Sequence, residues 1–226
     1  MNPETVYLAV IIVAMLVSLT VHEVAHARTA LAFGDPTAKL MGRVSFNPLR
    51  HLDRWGTVAM IVSAWAGYGF GWAKPVPVNP ANLHPPRLGD IMVSLAGPLS
   101  NLGLAAVAGL TLRAITAYEP AWLVGANGDL VTTGIRTFLR LNLALCLFNL
   151  LPLFPLDGHH IQREILPTAW KEGFMQWQMR FGQFLLLGLI FLPPFIGRAM
   201  GIEGLSFFRP IYLYVGLPLE QFFVGD

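Results

Sequence analysis

The chain has 226 residues, of which 54% are hydrophobic and 12% are charged, and its formal net charge is +2. Soluble domains usually carry about 25% charged residues, so this composition excludes an ordinary soluble enzyme and predicts a membrane protein. The small net charge excludes an extended nucleic-acid interface. The single cysteine, Cys146, lies in an apolar run, which excludes an internal disulfide and indicates a packing residue rather than a nucleophile.

Stretches without Asp, Glu, Lys or Arg predict the membrane segments, because a helix needs about 20 mostly apolar residues to cross a bilayer. These stretches are 5–21, 55–73, 91–112, 141–156 and 181–197. The predicted fold is an all-α polytopic membrane protein, with about four core transmembrane helices and up to six, forming one integral-membrane domain over 1–226. The N-terminal sequence MNPETV lacks a basic region, so a cleaved signal peptide is not expected.

The N-terminal half is predicted as one helix followed by an irregular region. The first helix covers 1–33 and ends at the sequence GDP. Residues 34–87 are predicted as a short membrane-associated β or re-entrant region before the 91–112 run. Within it, 55–73 is rich in Gly and Trp and continues into KPVPVNP, which favours a re-entrant or interfacial segment. A true membrane span is the alternative for 55–73.

The C-terminal half is predicted as three further helices and a shorter terminal one. The helices cover 88–117, 134–158, where the sequence LDG ends the helix, and 175–197. The last segment, 205–223, is aromatic and interrupted by proline, which favours an interfacial or half-inserted helix. An additional short span is the alternative there.

The basic residues predict the orientation in the membrane. Most of them lie in 28–90 and 157–180, and with four spans these two regions lie on the same side. The positive-inside rule makes that side cytoplasmic. Arg113, Arg136 and Arg140 lie toward the opposite face and weaken the bias without reversing it. The N-terminus is therefore expected outside the cell.

The sequence HEVAH places His22, Glu23 and His26 at the end of an apolar run, where unpaired ionisable groups cost several kcal/mol. Helical residues four apart share one face, so both imidazoles can point at one metal ion. Glu23 lies beside them and can act as a general base on a water molecule, as in zinc proteases. A pair of interfacial histidines without a metal is the alternative interpretation.

Catalytic zinc usually takes three protein ligands, so a third ligand is expected on the same side of the membrane. Asp157 is favoured because it is the first charged residue after the apolar run 141–156. Pro152 and Pro155 break that helix and leave free backbone groups beside the carboxylate. An ordinary Asp-Gly turn is the alternative. The other candidates for the third ligand are His51, Asp53, His84, Asp90, His159 and His160.

HEVAH in the first membrane helix, followed later by NLLPLFPLDG, resembles the site-2 protease family of intramembrane zinc metalloproteases. GDPTAKLMGRVSFNPLRHLDRWGT, GWAKPVPVNP and SLAGPLSN resemble its compact prokaryotic branch, which lacks PDZ and CBS domains. The resemblance implies one zinc ion per chain, bound by His22, His26 and Asp157. It further implies that Glu23 activates the water and that Asn149 stabilises the transition state.

The same resemblance implies a location in the prokaryotic cell (inner) membrane, with the active site toward the cytoplasmic face. The substrates would be single-span membrane proteins, cleaved within or next to their transmembrane segments. Lys74, Pro75 and Val76 could form an extended edge to which a substrate adds as a strand, or only a solvated loop. Asn101 could contact the active-site helix or substrate, or only hydrogen-bond a neighbouring helix.

Several features keep alternatives open. His159 and His160 stand where the family commonly has smaller or basic residues; they could bind a second ion, but an ordinary loop position is favoured. His51 is either a second-layer residue or an interfacial one. A membrane metal-ion transporter or metal sensor would use the same His/Asp cluster, yet it predicts polar residues near the midplane rather than at one end. A regulatory membrane partner or a homo-oligomer also stays open.

Overall fold

The computed structural model describes residues 3–65, 71–118, 125–202 and 204–225. Most of this part of the chain is helical. In chain order the α-helices are α1 (Pro3–Ala32), α2 (Thr37–Leu40), α3 (Arg54–Trp65), α4 (Pro86–Tyr118), α5 (Ala126–Asn149), α6 (Asp157–Ile165), α7 (Thr168–Trp177), α8 (Gln183–Met200), α9 (Phe208–Ile211) and α10 (Leu217–Val224). Five-residue π-helical turns join α7 to α8 and α9 to α10.

Four helical segments of the described chain are long and apolar enough to cross a membrane: Thr5–Ala32, Pro86–Tyr118, Gly128–Asn149 and Thr168–Met200. The prediction of an all-α polytopic fold with about four core transmembrane helices is therefore confirmed. The last of these segments is the least buried, with 11% of its most apolar window inside the protein.

Helix α4 is the centre of the bundle, because it packs against α1, α5, α6 and α10. Between membrane helices, close packing of small residues replaces the hydrophobic effect as the source of association. Ala105 and Ala108 are buried on α4 beside α5 and α10. A Cβ added to Gly109 would lie 2.4 Å from the Cβ of Phe223, so this glycine allows α10 to approach closely.

The region between α1 and α4 turns back on itself. The chain leaves Leu52 into α3, which at 12 residues is too short to cross a bilayer, and returns at Ala73. Leu52 and Ala73 form an antiparallel bridge, and the Lys74 amide donates to the His51 carbonyl at 2.7 Å. The two ends of the segment thus lie side by side, as expected for a re-entrant element. Part of the predicted 55–73 segment, 66–70, lies outside the described residues.

The β-structure predicted within 34–87 is wrong for the described residues, where this isolated bridge is the only strand pairing. Prolines at 75, 77, 80, 85 and 86 lack the amide hydrogen that a ladder needs. Side chains hold this segment instead. The fully buried Asp35 carboxylate accepts hydrogen bonds from the Asn79 amide at 2.7 Å and the Asn82 side chain at 2.9 Å.

The predicted helix 134–158 is really two helices. Helix α5 begins earlier, at Ala126, and ends at Asn149, and Asp157 begins α6 rather than ending the helix before it. Pro152 and Pro155 explain the break, since neither can donate an amide hydrogen to a helix. Likewise the 175–197 helix is longer than predicted, because α7 begins at Thr168.

The C-terminal segment is part of the bundle, a position that its sequence did not predict. It is helical from Phe208 and packs against α4 and α5. Glu220 on α10 is only 3% exposed. Its carboxylate accepts hydrogen bonds from Arg140 Nε at 3.0 and 3.1 Å and from the Tyr212 hydroxyl at 2.7 Å. These contacts link α10 to α5 through Arg140 and to the preceding π-helical turn through Tyr212.

Candidate metal centre

His22 and His26 lie one turn apart on α1 and are buried in the bundle. Their Nε2 atoms are 3.0 Å apart, and their rings meet edge to face. The helical spacing of four residues therefore directs both imidazoles to one point, as the sequence predicted.

Asp157 reaches this point from the first turn of α6. Its Oδ2 atom lies 3.2 Å from His22 Nε2, and its Oδ1 atom lies 3.3 Å from His26 Nε2. Burial alone would raise the pKa of Asp157, but the two neighbouring histidines hold it below its usual range. Among the described residues, these three form the one group of at least three side chains that could bind a metal, with ligand atoms within 4.8 Å of one another.

The three residues fit a zinc ion. Two imidazole nitrogens and a carboxylate oxygen are ligands typical of catalytic zinc, which keeps a fourth position open for water or substrate. Asp157 Oδ2 is buried without a hydrogen-bond partner, as expected for an atom that binds a metal. Gly97 leaves the necessary space, because a Cβ there would lie 2.4 Å from His26 Nε2 and 2.6 Å from His22 Nε2.

A second layer of hydrogen bonds orients both imidazoles. His22 Nδ1 lies 2.6 Å from Asn101 Oδ1, and His26 Nδ1 lies 2.7 Å from the Val93 carbonyl oxygen. Because both partners are acceptors, each Nδ1 carries the hydrogen and each Nε2 is left with its lone pair for a metal. Asn101 in turn donates to Asn142 Oδ1 at 2.9 Å, and Asn142 donates to the Phe138 carbonyl at 2.9 Å.

Helix α6 is held by contacts that fix the position of Asp157. Arg163 on α6 donates to the buried Asp90 on α4 at 2.7 Å. A Cβ added to Gly158 would lie 2.3 Å from the Leu151 carbonyl oxygen, so α6 can begin here only with glycine at this position. The buried Gln178 accepts from the Phe154 amide at 2.9 Å and donates to the Pro152 carbonyl at 2.7 Å. These contacts fix the irregular segment that connects α5 to the ligand.

Glu23 is buried next to the metal centre, and its carboxylate has a backbone partner. The Val76 amide donates to Glu23 Oε2 at 2.8 Å. The residues before it, Lys74 and Pro75, are exposed. The segment predicted to bind substrate therefore passes directly beside the predicted general base.

The other residues that the sequence singled out occupy different positions in the structure. Asn149 is the last residue of α5, half-buried, and its amide donates to the Leu145 carbonyl at 3.0 Å. Asn101 is fully buried behind His22, so it contacts the active-site helix and not a substrate. His51 is buried, and its Nε2 lies 2.7 Å from the Ser45 carbonyl oxygen. Cys146 is a free, buried cysteine on α5, as expected for a packing residue.

His159 and His160 belong to the packing around α6. His159 is buried, and this burial, together with the neighbouring His160 and Arg163, lowers its pKa to about 4. His160 Nδ1 lies 4.0 Å from the Asp90 carboxylate, which is already paired with Arg163. Neither histidine belongs to the metal-binding group formed by the described residues.

The sequence alone predicted no individual role for four residues of this region. Gly97, Asn142, Gln178 and Arg43 act through contacts with residues far away along the chain. Their types are common in membrane helices and loops, and only the packing of the helices shows what they contact. The sequence SLAGPLSN did mark the stretch of α4 that contains Gly97 and Asn101.

Comparison with known proteins gives consistent matches. Residues 10–189, which include all the predicted metal ligands, match the model of Peptidase family M50. The chain is similar to YwhC of Bacillus subtilis (strain 168), with 40% identity over 188 residues, 81% of this chain and 80% of that protein. It is also similar to Rip2 of Mycolicibacterium smegmatis, with 31% identity over 198 residues, 83% of this chain and 68% of that protein. Both are named as candidate zinc metalloproteases.

A more distant relative is the zinc metalloprotease MJ0392 of Methanocaldococcus jannaschii. It is 26% identical over 173 residues, which are 76% of this chain and 38% of that protein. No solved structure matches the chain.

The space left by Gly97 gives a test of the centre that keeps every ligand. Gly97→Ala should abolish zinc binding, because the new methyl group would lie where the two Nε2 atoms meet the metal. Gly103→Ala on the same helix is the matched control, since nothing lies within 4 Å of a Cβ there. The zinc content of the purified proteins, measured by elemental analysis, decides. One bound zinc in Gly97→Ala would contradict the assignment.

The hydrogen bond from His22 to Asn101 gives a second test. Asn101→Leu should weaken zinc binding about 10–100-fold, because His22 loses the acceptor that fixes its tautomer and ring orientation. Ser94→Ala is the control: Ser94 is also buried on α4, but its hydroxyl donates only to the Asp90 carbonyl in its own helix. Competition with a fluorescent chelator measures both affinities. Equal affinities in the two variants would rule out the orienting role.

Proposed function

This chain belongs to peptidase family M50, and we propose that it is an intramembrane protease that hydrolyses peptide bonds within or next to transmembrane segments of single-span membrane proteins. One observation carries the proposal. The His22, His26 and Asp157 ligand atoms converge inside a bundle of apolar helices, with the buried Glu23 carboxylate beside them. Membership of the family makes the protein a zinc metalloprotease. What we propose in addition is that it cleaves membrane segments.

The ligands His22, His26 and Asp157 would hold the zinc ion. When bound, zinc supplies a Lewis acid that makes water a stronger acid and polarises a carbonyl group. The protein holds its three ligands in place beforehand, through Asn101, the Val93 carbonyl and the Asp90–Arg163 pair. Little rearrangement is then needed when substrate arrives.

Glu23 is the general base. Its carboxylate would take a proton from the attacking water and then return it to the leaving amine. The Val76 amide occupies Oε2, so Oε1 is the oxygen that is left to accept that proton. A pure metal-binding site, as in a transporter or sensor, has no need of a buried carboxylate in this position.

Asn149 is proposed to stabilise the oxyanion that forms on the scissile carbonyl. One of its two amide hydrogens is used by the Leu145 carbonyl, which fixes the side-chain direction. The second hydrogen remains for the substrate oxygen. A fixed donor of this kind typically contributes about 100–1,000-fold to turnover.

The segment formed by Lys74, Pro75 and Val76 is proposed to bind substrate. A transmembrane helix hides its carbonyl groups in its own hydrogen bonds, so the target must unwind into an extended strand before attack. This segment lies next to Glu23 and is partly exposed, so it suits contact with such a strand. Because the Lys74 and Val76 amides are already used and Pro75 has none, its carbonyl groups would be the ones that pair. The protein would then recognise the backbone of the substrate before its side chains.

We further propose that the metal centre faces the cytoplasm. The end of α1, the beginning of α4 and α6 meet at the centre, and the basic regions 28–90 and 157–180 lie with them. The positive-inside rule assigns this side to the cytoplasm and the N-terminus to the outside.

Two substitutions separate catalysis from metal binding. Glu23→Gln should keep about one zinc per chain and lower cleavage at least 100-fold, because the base is lost while the ligands remain. Asp157→Ala should lose zinc as well as activity. Asp129→Ala, an exposed residue in the first turn of α5, should change neither.

The measurement uses purified, zinc-loaded protein and candidate single-span substrates in detergent or vesicles, with gel analysis of the products. Unchanged cleavage by Glu23→Gln would rule out the proposed base. Unchanged zinc content in Asp157→Ala would rule out the third ligand.

The orientation predicts opposite labelling of two exposed positions. With Cys146 replaced by alanine, Lys39→Cys should be protected from a membrane-impermeant maleimide in intact cells, and Tyr118→Cys should react. Lys39 lies at the end of the protein that carries the metal centre, and Tyr118 ends α4 at the opposite side. Opening the cells should make both positions reactive. The reverse pattern in intact cells would place the metal centre outside.

A further inference from the structure

Arg43 is a buried cation that the mechanism above does not use. Arg43 is only 5% exposed, and its Nε atom is buried without a hydrogen-bond partner. None of the ion pairs formed by the described residues includes it. Burying an unpaired guanidinium is costly, so simple filling of space would favour an apolar residue here.

Arg43 contacts Lys74, which lies two residues before Val76, the residue whose amide donates to Glu23. The Nη2 atom of Arg43 donates to the Lys74 carbonyl oxygen. The Lys74 amide donates to the His51 carbonyl at 2.7 Å, so both peptide groups of Lys74 are held. The next residue, Pro75, has a ring that fixes its φ angle. The direction set at Lys74 is therefore passed on to Val76, whose amide donates to Glu23 at 2.8 Å.

We propose that Arg43 is a positioning residue for Glu23: by holding the Lys74 carbonyl, it aims the Val76 amide at the Glu23 carboxylate. The proposal rests on the function proposed above, in which Glu23 is the base. Asp35 holds the far end of the same segment through the Asn79 amide, so loss of Arg43 frees only the end next to Glu23. The metal ligands are held by other contacts and stay in place.

Amide hydrogen exchange on the whole zinc-loaded protein tests the contact without any substrate. Arg43→Met and Arg43→Gln should each speed exchange at Val76 at least tenfold, and Arg50→Gln should not. Arg50 is the matched control, because it lies in the same loop, is exposed, and its guanidinium donates to the Gly42 carbonyl at 3.4 Å rather than to Lys74. Wild-type exchange at Val76 in a folded Arg43 variant would overturn the proposal. Either variant alone is sufficient if the other does not fold.

Turnover then tests the link to Glu23. At saturating substrate, Arg43→Met should keep its zinc and lower kcat about 10–100-fold, because a base displaced by about 1 Å loses activity on this scale. Arg43→Lys should recover most of kcat, since an ammonium can still donate to the Lys74 carbonyl. A rise in KM alone, or a lysine variant as impaired as Arg43→Met, would overturn the proposal. If the wild type cleaves no substrate, the proposed function fails, and the exchange experiment still decides the role of Arg43.

Discussion

The structure depends on one constraint: two imidazoles and a carboxylate that lie largely buried in a bundle of apolar helices must find polar partners there. An unsatisfied polar group in such surroundings costs roughly 2–7 kcal/mol. The bundle meets this cost by giving each Nδ1 a fixed acceptor, Asn101 for His22 and the Val93 carbonyl for His26. That choice leaves both Nε2 atoms as acceptors facing each other at 3.0 Å. Two lone pairs at this distance repel unless a proton or a cation lies between them, which is the arrangement that suits a bound metal ion.

The pairing of α1 with α4 follows from the same requirement. Val93, Gly97 and Asn101 are spaced four residues apart and share one face of α4. They face His22 and His26, which are also four apart on α1. Val93 contributes a backbone acceptor, Gly97 leaves space, and Asn101 contributes a side-chain acceptor. Close approach at Gly97 therefore serves both helix packing and the space for the metal.

Local sequence was sufficient to predict that His22, His26 and Asp157 would come together, because each lies in a pattern that can be recognised without the tertiary structure. The HEVAH spacing works within one helix, and Asp157 stands out as the first charge after an apolar run broken by prolines. The boundary between α5 and α6 was harder, since a proline shows that a helix is interrupted without showing where the next one begins. The same prolines that favoured an extended segment near 74–80 also removed the amides that a β-ladder would need. Contacts between distant residues could not be predicted in this way. Arg140 and Glu220 are 80 residues apart, and Glu220 lies in an aromatic, proline-interrupted segment. Only the packing of the helices shows that the two side chains pair.

The division of the predicted metal ligands between two helices explains why α6 needs several contacts to hold it. His22 and His26 are fixed to each other by a single turn of α1, but Asp157 follows an irregular segment whose backbone has no helix to satisfy it. Without further contacts, movement of that segment could take the Asp157 carboxylate away from the two histidines. Gln178 satisfies the backbone at Phe154 and Pro152, and the Asp90–Arg163 pair ties α6 to α4. The distance from Asp157 to the histidines is thus set by α4, the same helix that orients both imidazoles.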